Sequence, residues 1–288
     1  MGLTRLPRLP RATPLSAGLL LVSIVAWVAA CGPPLGATGA RADGPALRSS
    51  PPRQDSGEPP ARRLRVEILG VFPHDGRAFT QGLLWYDGSL YESTGLQGAS
   101  SVRQVDRSGE VVRMVSLDPR IFGEGLARVD DRLYQITWQQ GLAIIYDLAT
   151  FEKLREFGYS GEGWGLCYDG ERLVMSDGSS NLFLRDPQTF DLLGTIPVTL
   201  DGQPIDRLNE LECVGDFVYA NVWMTDNILR IDERSGRVDA TIDASGLLTR
   251  EERLGADVLN GIAFDPDRDT FLITGKFWPK LFEVRFVE

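Results

Sequence analysis

An all-β fold, a five-bladed β-propeller closed by its own N-terminal strand, is what this sequence predicts, and three observations predict it. An internal repeat runs through the chain five times, each copy carries short strand signals separated by turn chemistry, and a lone strand-like segment precedes the first copy.

The repeat is anchored by "QGL" from Gln81, "EGL" from Glu124, "WGL" from Trp164, "NEL" from Asn209 and "NGI" from Asn260, at spacings of 43, 40, 45 and 51 residues. Each anchor opens a first strand. A turn rich in Gly and Asp follows, such as "YDGS" or "VDDR", which signals a hairpin. The second strand ends fourteen residues after the anchor, at Gly95, Trp138, Gly178 and Trp223, and sixteen after it in the fifth copy, at Lys276, where "DPDRD" lengthens the turn. A third alternating run then ends in an aspartate-led turn, as in "VRQVDRSG" and "AIIYDLAT", and a fourth strand follows. The last copy stops after its third strand, "LFEVRFVE". The segment "LRVEILGVF", residues 64–72, supplies the missing one and should complete the last blade, leaving no open edge between the termini.

In such a ring the first strands line a central channel and the second strands return beside them. Gln81, Glu124, Trp164, Asn209 and Asn260 should therefore converge at one mouth, with Trp138, Trp223 and Lys276 on its rim. The glycine after the anchor, present in four copies, is explained by backbones crowding near the axis. The anchor column itself changes residue type from copy to copy, supplying an acid, amides and an aromatic wall. Glu124 reads as a catalytic acid, against the alternative of a structural hydrogen bond. The tryptophans taken singly read as core; three at one mouth read as a ligand pocket.

The chain has 288 residues, 43% hydrophobic and 24% charged, a globular composition. Its beginning differs. Arg5, Arg8 and Arg11 precede the apolar run "GLLLVSIVAWVAAC", too short for a bilayer span and built like an export signal. "VAAC" looks like a lipobox, making residues 1–31 a signal peptide and Cys31 the lipidated first residue of the mature chain. The alternative is a soluble periplasmic or secreted protein cut after Ala42. Residues 32–63 read as a flexible Pro/Gly-rich tether, and residues 64–288 as the propeller domain.

Residues 1–63 hold eight of the 30 basic and three of the 40 acidic residues, so the remainder carries 22 against 37, a balance of −15. Such a domain repels phosphate backbones and excludes nucleic acid as a partner. His74, the only histidine, argues against a His-based metal site or triad, and no G-x-S-x-G, Walker A or H-E-x-x-H motif occurs. "DPDRD" lacks the glycine and glutamate of a calcium loop and reads as a hairpin turn. Cys167 and Cys213 fall at adjacent columns of the repeat, where strand side chains face opposite ways; export permits a disulfide, and the pairing stays open.

The motifs "HDGRAFTQGL", "YESTGLQGASSVRQVD", "FGEGL", "GWGL", "SDGSS", "LNELE", "YANVW", "RID", "VLNGIAFDP" and "TGKFWP", in this order from about Val66 to Val284, resemble the zinc-independent glutaminyl-peptide cyclotransferases of plants and bacteria. The resemblance implies a five-bladed propeller and conversion of an N-terminal glutamine of a peptide or protein into pyroglutamate with release of ammonia. By motif, the family's essential acid falls on Glu124. Its substrate-binding residues fall on Phe79, Gln81, Phe122, Trp138, Trp164, Asn209, Trp223 and Lys276. No cofactor or metal is implied, and membrane attachment rests on Cys31 alone, at the periplasmic face. A closed propeller has no obvious edge for pairing, so a monomer is expected. Two other classes compete: a calcium-dependent propeller lactonase, disfavoured by Lys276 on the rim, and a noncatalytic binding propeller.

Overall fold

The computed structural model describes residues 59–288, and the signal peptide, Cys31 and most of the tether lie outside them. The described residues are all-β apart from one short 3-10 turn at Glu252–Leu254. The first repeat forms a four-stranded antiparallel sheet of β2 (Thr80–Tyr86), β3 (Ser89–Thr94), β4 (Ser101–Val105) and β5 (Val111–Ser116). The second is β6 (Gly123–Val129), β7 (Arg132–Thr137), β8 (Leu142–Asp147) and β9 (Lys153–Gly158). The third is β10 (Leu166–Tyr168), β11 (Leu173–Ser176), β12 (Asn181–Arg185) and β13 (Leu192–Pro197), followed by a small hairpin of β14 (Thr199–Leu200) and β15 (Gln203–Pro204). The fourth is β16 (Leu208–Val214), β17 (Phe217–Val222), β18 (Asn227–Asp232) and β19 (Val238–Asp243), and the fifth is β20 (Leu259–Asp265), β21 (Thr270–Gly275) and β22 (Lys280–Val287).

The lone strand β1 (Arg62–Pro73) pairs antiparallel with β22, as the sequence predicts, with Val66 opposite Phe286 and Phe72 opposite Leu281. It also does something the sequence does not announce. Its first residues, Arg62 to Arg65, pair in parallel with Ala240 to Asp243 of β19, so the fourth and fifth repeats merge into one eight-stranded sheet.

The predicted turn chemistry is in place. Oδ1 of Asp106, Asp147, Asp186 and Asp232 each accepts backbone N–H groups two to four residues on, closing the turn between third and fourth strands. "DPDRD" is the hairpin between β20 and β21, with Asp265 opposite Thr270. The apolar faces pack between sheets in five clusters. Leu84, Tyr91 and Val102 meet Leu126 and Ile144; Ile136 and Ile145 meet Leu166 and Met175; Val174 and Leu182 meet Leu211 and Val218; Ile228 and Ile242 meet Ile262 and Ile273. The fifth cluster joins Leu83 and Leu90 of the first repeat to Ala263, Leu272 and Leu281 of the fifth. Every repeat thus packs on the next and the last on the first, a propeller-like arrangement.

Candidate active site

Four of the five anchors owe their aim to the same irregularity. Register shifts between Thr80 and Gly82, Gly123 and Leu126, Leu208 and Leu211, and Leu259 and Ile262 place one extra residue in each first strand at the anchor. Such a bulge bends the strand and re-aims a side chain that a regular pleat would send to a sheet face. The glycines behind the anchors allow the close approach. A Cβ on Gly82 would stand 2.5 Å from the Leu126 nitrogen, and Gly125 and Gly165 likewise abut the next first strand. In the fourth repeat Glu210 replaces the glycine. Its carboxylate accepts from Leu83 N at 3.1 Å and Ile262 N at 2.8 Å, satisfying N–H groups of the first and fifth repeats.

Four of the five anchors converge through a directed chain of side-chain amides that ends on Glu124, and the fifth, Trp164, joins the aromatic rings above it. Asn209 Nδ2 donates to Asn260 Oδ1 (2.8 Å), Asn260 Nδ2 donates to Thr80 O (2.9 Å) and Gln81 Oε1 (3.3 Å), and Gln81 Nε2 donates to Glu124 Oε1 (3.0 Å). All four side chains are buried. Burial pushes the Glu124 carboxyl well above the usual carboxylate range; the Lys276 ammonium pulls it back and Glu162 pushes it further up. Burial lowers Lys276 in turn, against the attraction of Glu124. Its Nζ stands 4.7 Å from the Phe79 ring centroid, in cation–π contact.

Above this polar floor lies an aromatic arc. Phe277, Phe79, Phe122 and Trp138 follow one another with ring centroids 5.1, 6.0 and 5.6 Å apart, all edge to face, and Trp164 meets Trp223 in the same way at 5.5 Å. Phe79, Phe122, Trp138 and Trp164 are half-buried and Trp223 is 38% exposed, so the floor is roofed by rings that still face solvent. The rim residues continue the ladder past the second strand: Trp138 N donates to Phe122 O, Trp223 N to Arg207 O and Lys276 N to Val258 O. Gly95, in the same column, leaves the space that the Phe122 ring fills, and a Cβ on Gly178 would stand 2.7 Å from the Trp164 ring.

Every described residue singled out from the sequence takes part in this floor or roof; Cys31 lies outside the described residues. Sequence reasoning missed Glu162. Its Oε2 accepts from Trp138 Nε1 (2.8 Å) and Trp164 Nε1 (3.0 Å), and its Oε1 accepts from Gln139 Nε2 (3.0 Å). The signal was available: two residues before each anchor the chain reads Phe79, Phe122, Glu162, Arg207 and Val258, and this column feeds the roof. The Cys167–Cys213 pairing that the sequence leaves open is a disulfide joining β10 to β16. Cys167 lies on the face of its sheet turned to the fourth repeat, opposite Leu166, while Cys213 lies on the face of β16 turned to the third; neighbouring sheets pack face to face, so opposite-facing side chains of consecutive repeats meet.

His74 sits in a second buried network. Its Nε2 lies 3.2 Å from Glu92 Oε1, which also accepts from Thr80 Oγ1 (2.6 Å), while Arg103 Nε donates to Glu92 Oε2 (2.8 Å). Burial alone would raise the Glu92 carboxyl, but His74 and Arg103 hold it at about 2. The network fixes Thr80, the residue before Gln81. Cavities of about 790 Å³ beside β1 and β18 and about 520 Å³ beside β5 and β9 are lined by neither Glu124 nor any of the substrate-binding residues named from the sequence.

Fold and site together define a propeller-like protein whose channel mouth holds one buried carboxylate on an amide floor under an aromatic roof. Residues 45–286 match the sequence profile of the glutamine cyclotransferase family, and the chain belongs to that family. A glutaminyl-peptide cyclotransferase of Arabidopsis thaliana is 43% identical over 226 residues, 76% of this chain and 71% of the relative. The crystal structure of Myxococcus xanthus glutaminyl cyclase superposes with a TM-score of 0.72 at 43% identity, covering 79% of this chain and 98% of that one.

Proposed function

We propose that this protein is a glutaminyl-peptide cyclotransferase that closes N-terminal glutamine to pyroglutamate, with Glu124 moving the proton. The observation that carries the reading is the Glu124 carboxylate itself, buried under aromatic rings, tied at one oxygen by Gln81 and faced by Lys276. In the reaction the substrate's α-amine nitrogen bonds to its own γ-carboxamide carbon, and the bond from that carbon to the amide nitrogen breaks. One proton passes from the amine to the departing ammonia. A carboxyl whose pKa burial raises above the usual carboxylate range suits both halves of that transfer, taking the proton as base and returning it as acid, a role worth about 10² to 10⁴ in rate.

Glu124 Oε1 is engaged by Gln81, which leaves Oε2 to face the amine. Gln81 and Asn209 each have an amide hydrogen committed to the floor, whereas Lys276 stands outside that chain, so Lys276 is the group we assign to the carboxamide oxygen as negative charge develops there. Phe79, Phe122, Trp138, Trp164 and Trp223 hold the glutamine side chain folded back on its own amine. Nucleophile and electrophile belong to one residue, so the scheme needs no metal.

The same reading takes the fold as five blades, closed by β1 completing the fifth; the cyclic order of the apolar clusters supports it. It also takes Cys31 as a lipid attachment site that holds a monomer at the periplasmic face of a membrane, supported by the "VAAC" tetrapeptide after an apolar run. Ammonia release from a short glutamine-led peptide tests the activity, and release of the protein from membranes on Cys31→Ala tests the anchor.

A further inference from the structure

The acid that the mechanism leaves unused is Glu162. Three donors converge on its carboxylate, two of them indole N–H groups from the two tryptophans that span consecutive repeats: Trp138 follows β7 and Trp164 precedes β10. An indole N–H has one donor and no acceptor, so a single shared oxygen fixes both ring planes at once. Among the described residues no ring contact pairs these two indoles: Trp138 packs edge-on to Phe122, and Trp164 packs on Trp223. Without Glu162 the roof divides into an arc of four rings ending at Trp138 and a separate Trp164–Trp223 pair, with a seam above the floor. The carboxylate is half-buried at the mouth, close enough to Glu124 for their charges to interact.

We propose that Glu162 is a positioning residue for the substrate's N-terminal end: it staples Trp138 to Trp164 and sets a fixed negative charge at the mouth, where a cationic peptide N-terminus must pass. This rests on the cyclotransferase reading. A peptide α-amino group is protonated in good part near neutral pH, with an ordinary pKa of about 8, so the arriving end is attracted by a carboxylate at the entrance and repelled by Lys276 behind it. The groups facing Glu124 are then one anion, Glu162, and one cation, Lys276, with Tyr159 also within electrostatic reach.

The test uses the full-length protein, Glu162→Gln and Glu162→Ala, with a glutamine-led peptide as substrate. Glu162→Gln keeps the shape and one acceptor oxygen but removes the charge. It should raise KM about tenfold and move the acid limb of kcat/KM to lower pH, because a negative neighbour no longer opposes ionisation of Glu124. Glu162→Ala should also lose near-ultraviolet circular dichroism from the two indoles. A role confined to fold stability would lower the unfolding temperature but leave KM and the acid limb where they are, and that result in Glu162→Gln would overturn the proposal. Should Glu162→Ala fail to fold, Glu162→Gln decides alone. If the wild-type protein released no ammonia, the cyclotransferase reading would fall by itself. The staple would then be judged by the circular dichroism of folded Glu162→Ala, an unchanged indole signal counting against it.

Discussion

Asn260→Asp exchanges an NH₂ for an oxygen at the one point where the amide floor branches. In the native protein the Asn260 Nδ2 group donates to Thr80 O and Gln81 Oε1, and its Oδ1 accepts from Asn209. The variant keeps the bond from Asn209 and loses both donations, bringing an acid oxygen against two acceptors. Gln81 relieves its share by turning its amide over, so that its NH₂ serves the new carboxylate and its carbonyl oxygen faces Glu124. Glu124 can hydrogen-bond that carbonyl only while it carries its proton. Its pKa, already raised by burial, should therefore rise again, and the acid limb of kcat/KM should move to higher pH. The truncation Asn260→Ala gives the energetic scale. It leaves Thr80 O, Gln81 Oε1 and one Asn209 N–H buried without partners, each costing about 1–3 kcal/mol, hence about 3 kcal/mol at the least. Rate profiles of ammonia release from pH 5 to 10 and urea unfolding read the two effects. A wild-type profile in Asn260→Asp, or a loss below 1 kcal/mol in Asn260→Ala, would refute the directed chain.

Other expectations follow from the same geometry. Gly95→Ala places a methyl group where the Phe122 ring lies, so the ring must leave the roof; KM should rise well before stability suffers, and peptide kinetics beside thermal melting would separate the two. Reducing the Cys167–Cys213 bond, or replacing both residues with alanine, releases a 46-residue loop worth about 4 kcal/mol on a chain-entropy estimate, and the urea midpoint should fall accordingly. Glu212, whose Oε1 accepts from Phe264 N, is pushed up to about 8 by burial. An acid with a raised folded pKa stays protonated in the folded state while its unfolded counterpart ionises. Stability should therefore decline as pH rises from about 4.3 to about 8, then level off, and Glu212→Gln should flatten that slope in melts taken across the range.

The repeat was legible because strand alternation, turn residues and anchors recur at similar spacing, and Lys276 could be aligned despite its offset since "DPDRD" shows where the two added residues fall. What escaped was set by geometry without a local pattern. The bulges that aim Gln81, Glu124, Asn209 and Asn260 inward have no residue signature of their own beyond a following glycine, and Glu210 lacks even that. Cys167 and Cys213 do lie on opposite faces of their own sheets, and only the face-to-face packing of neighbouring repeats brings those two faces together. The parallel pairing of β1 with β19 involves no turn between neighbours in sequence, so nothing in either strand announces it. Glu162, beside "GWGL", drew no reading because its partners, two indoles, come from different repeats.

The central claim is that Glu124 carries the proton in a metal-independent cyclisation. It is tested most directly by ammonia release from a glutamine-led peptide, with and without EDTA, by the wild-type protein and Glu124→Gln. The predicted result is turnover unaffected by the chelator and lowered about 10² to 10⁴-fold in Glu124→Gln, with the variant still folded. Full activity in Glu124→Gln, or turnover abolished by the chelator and restored by calcium, would contradict it.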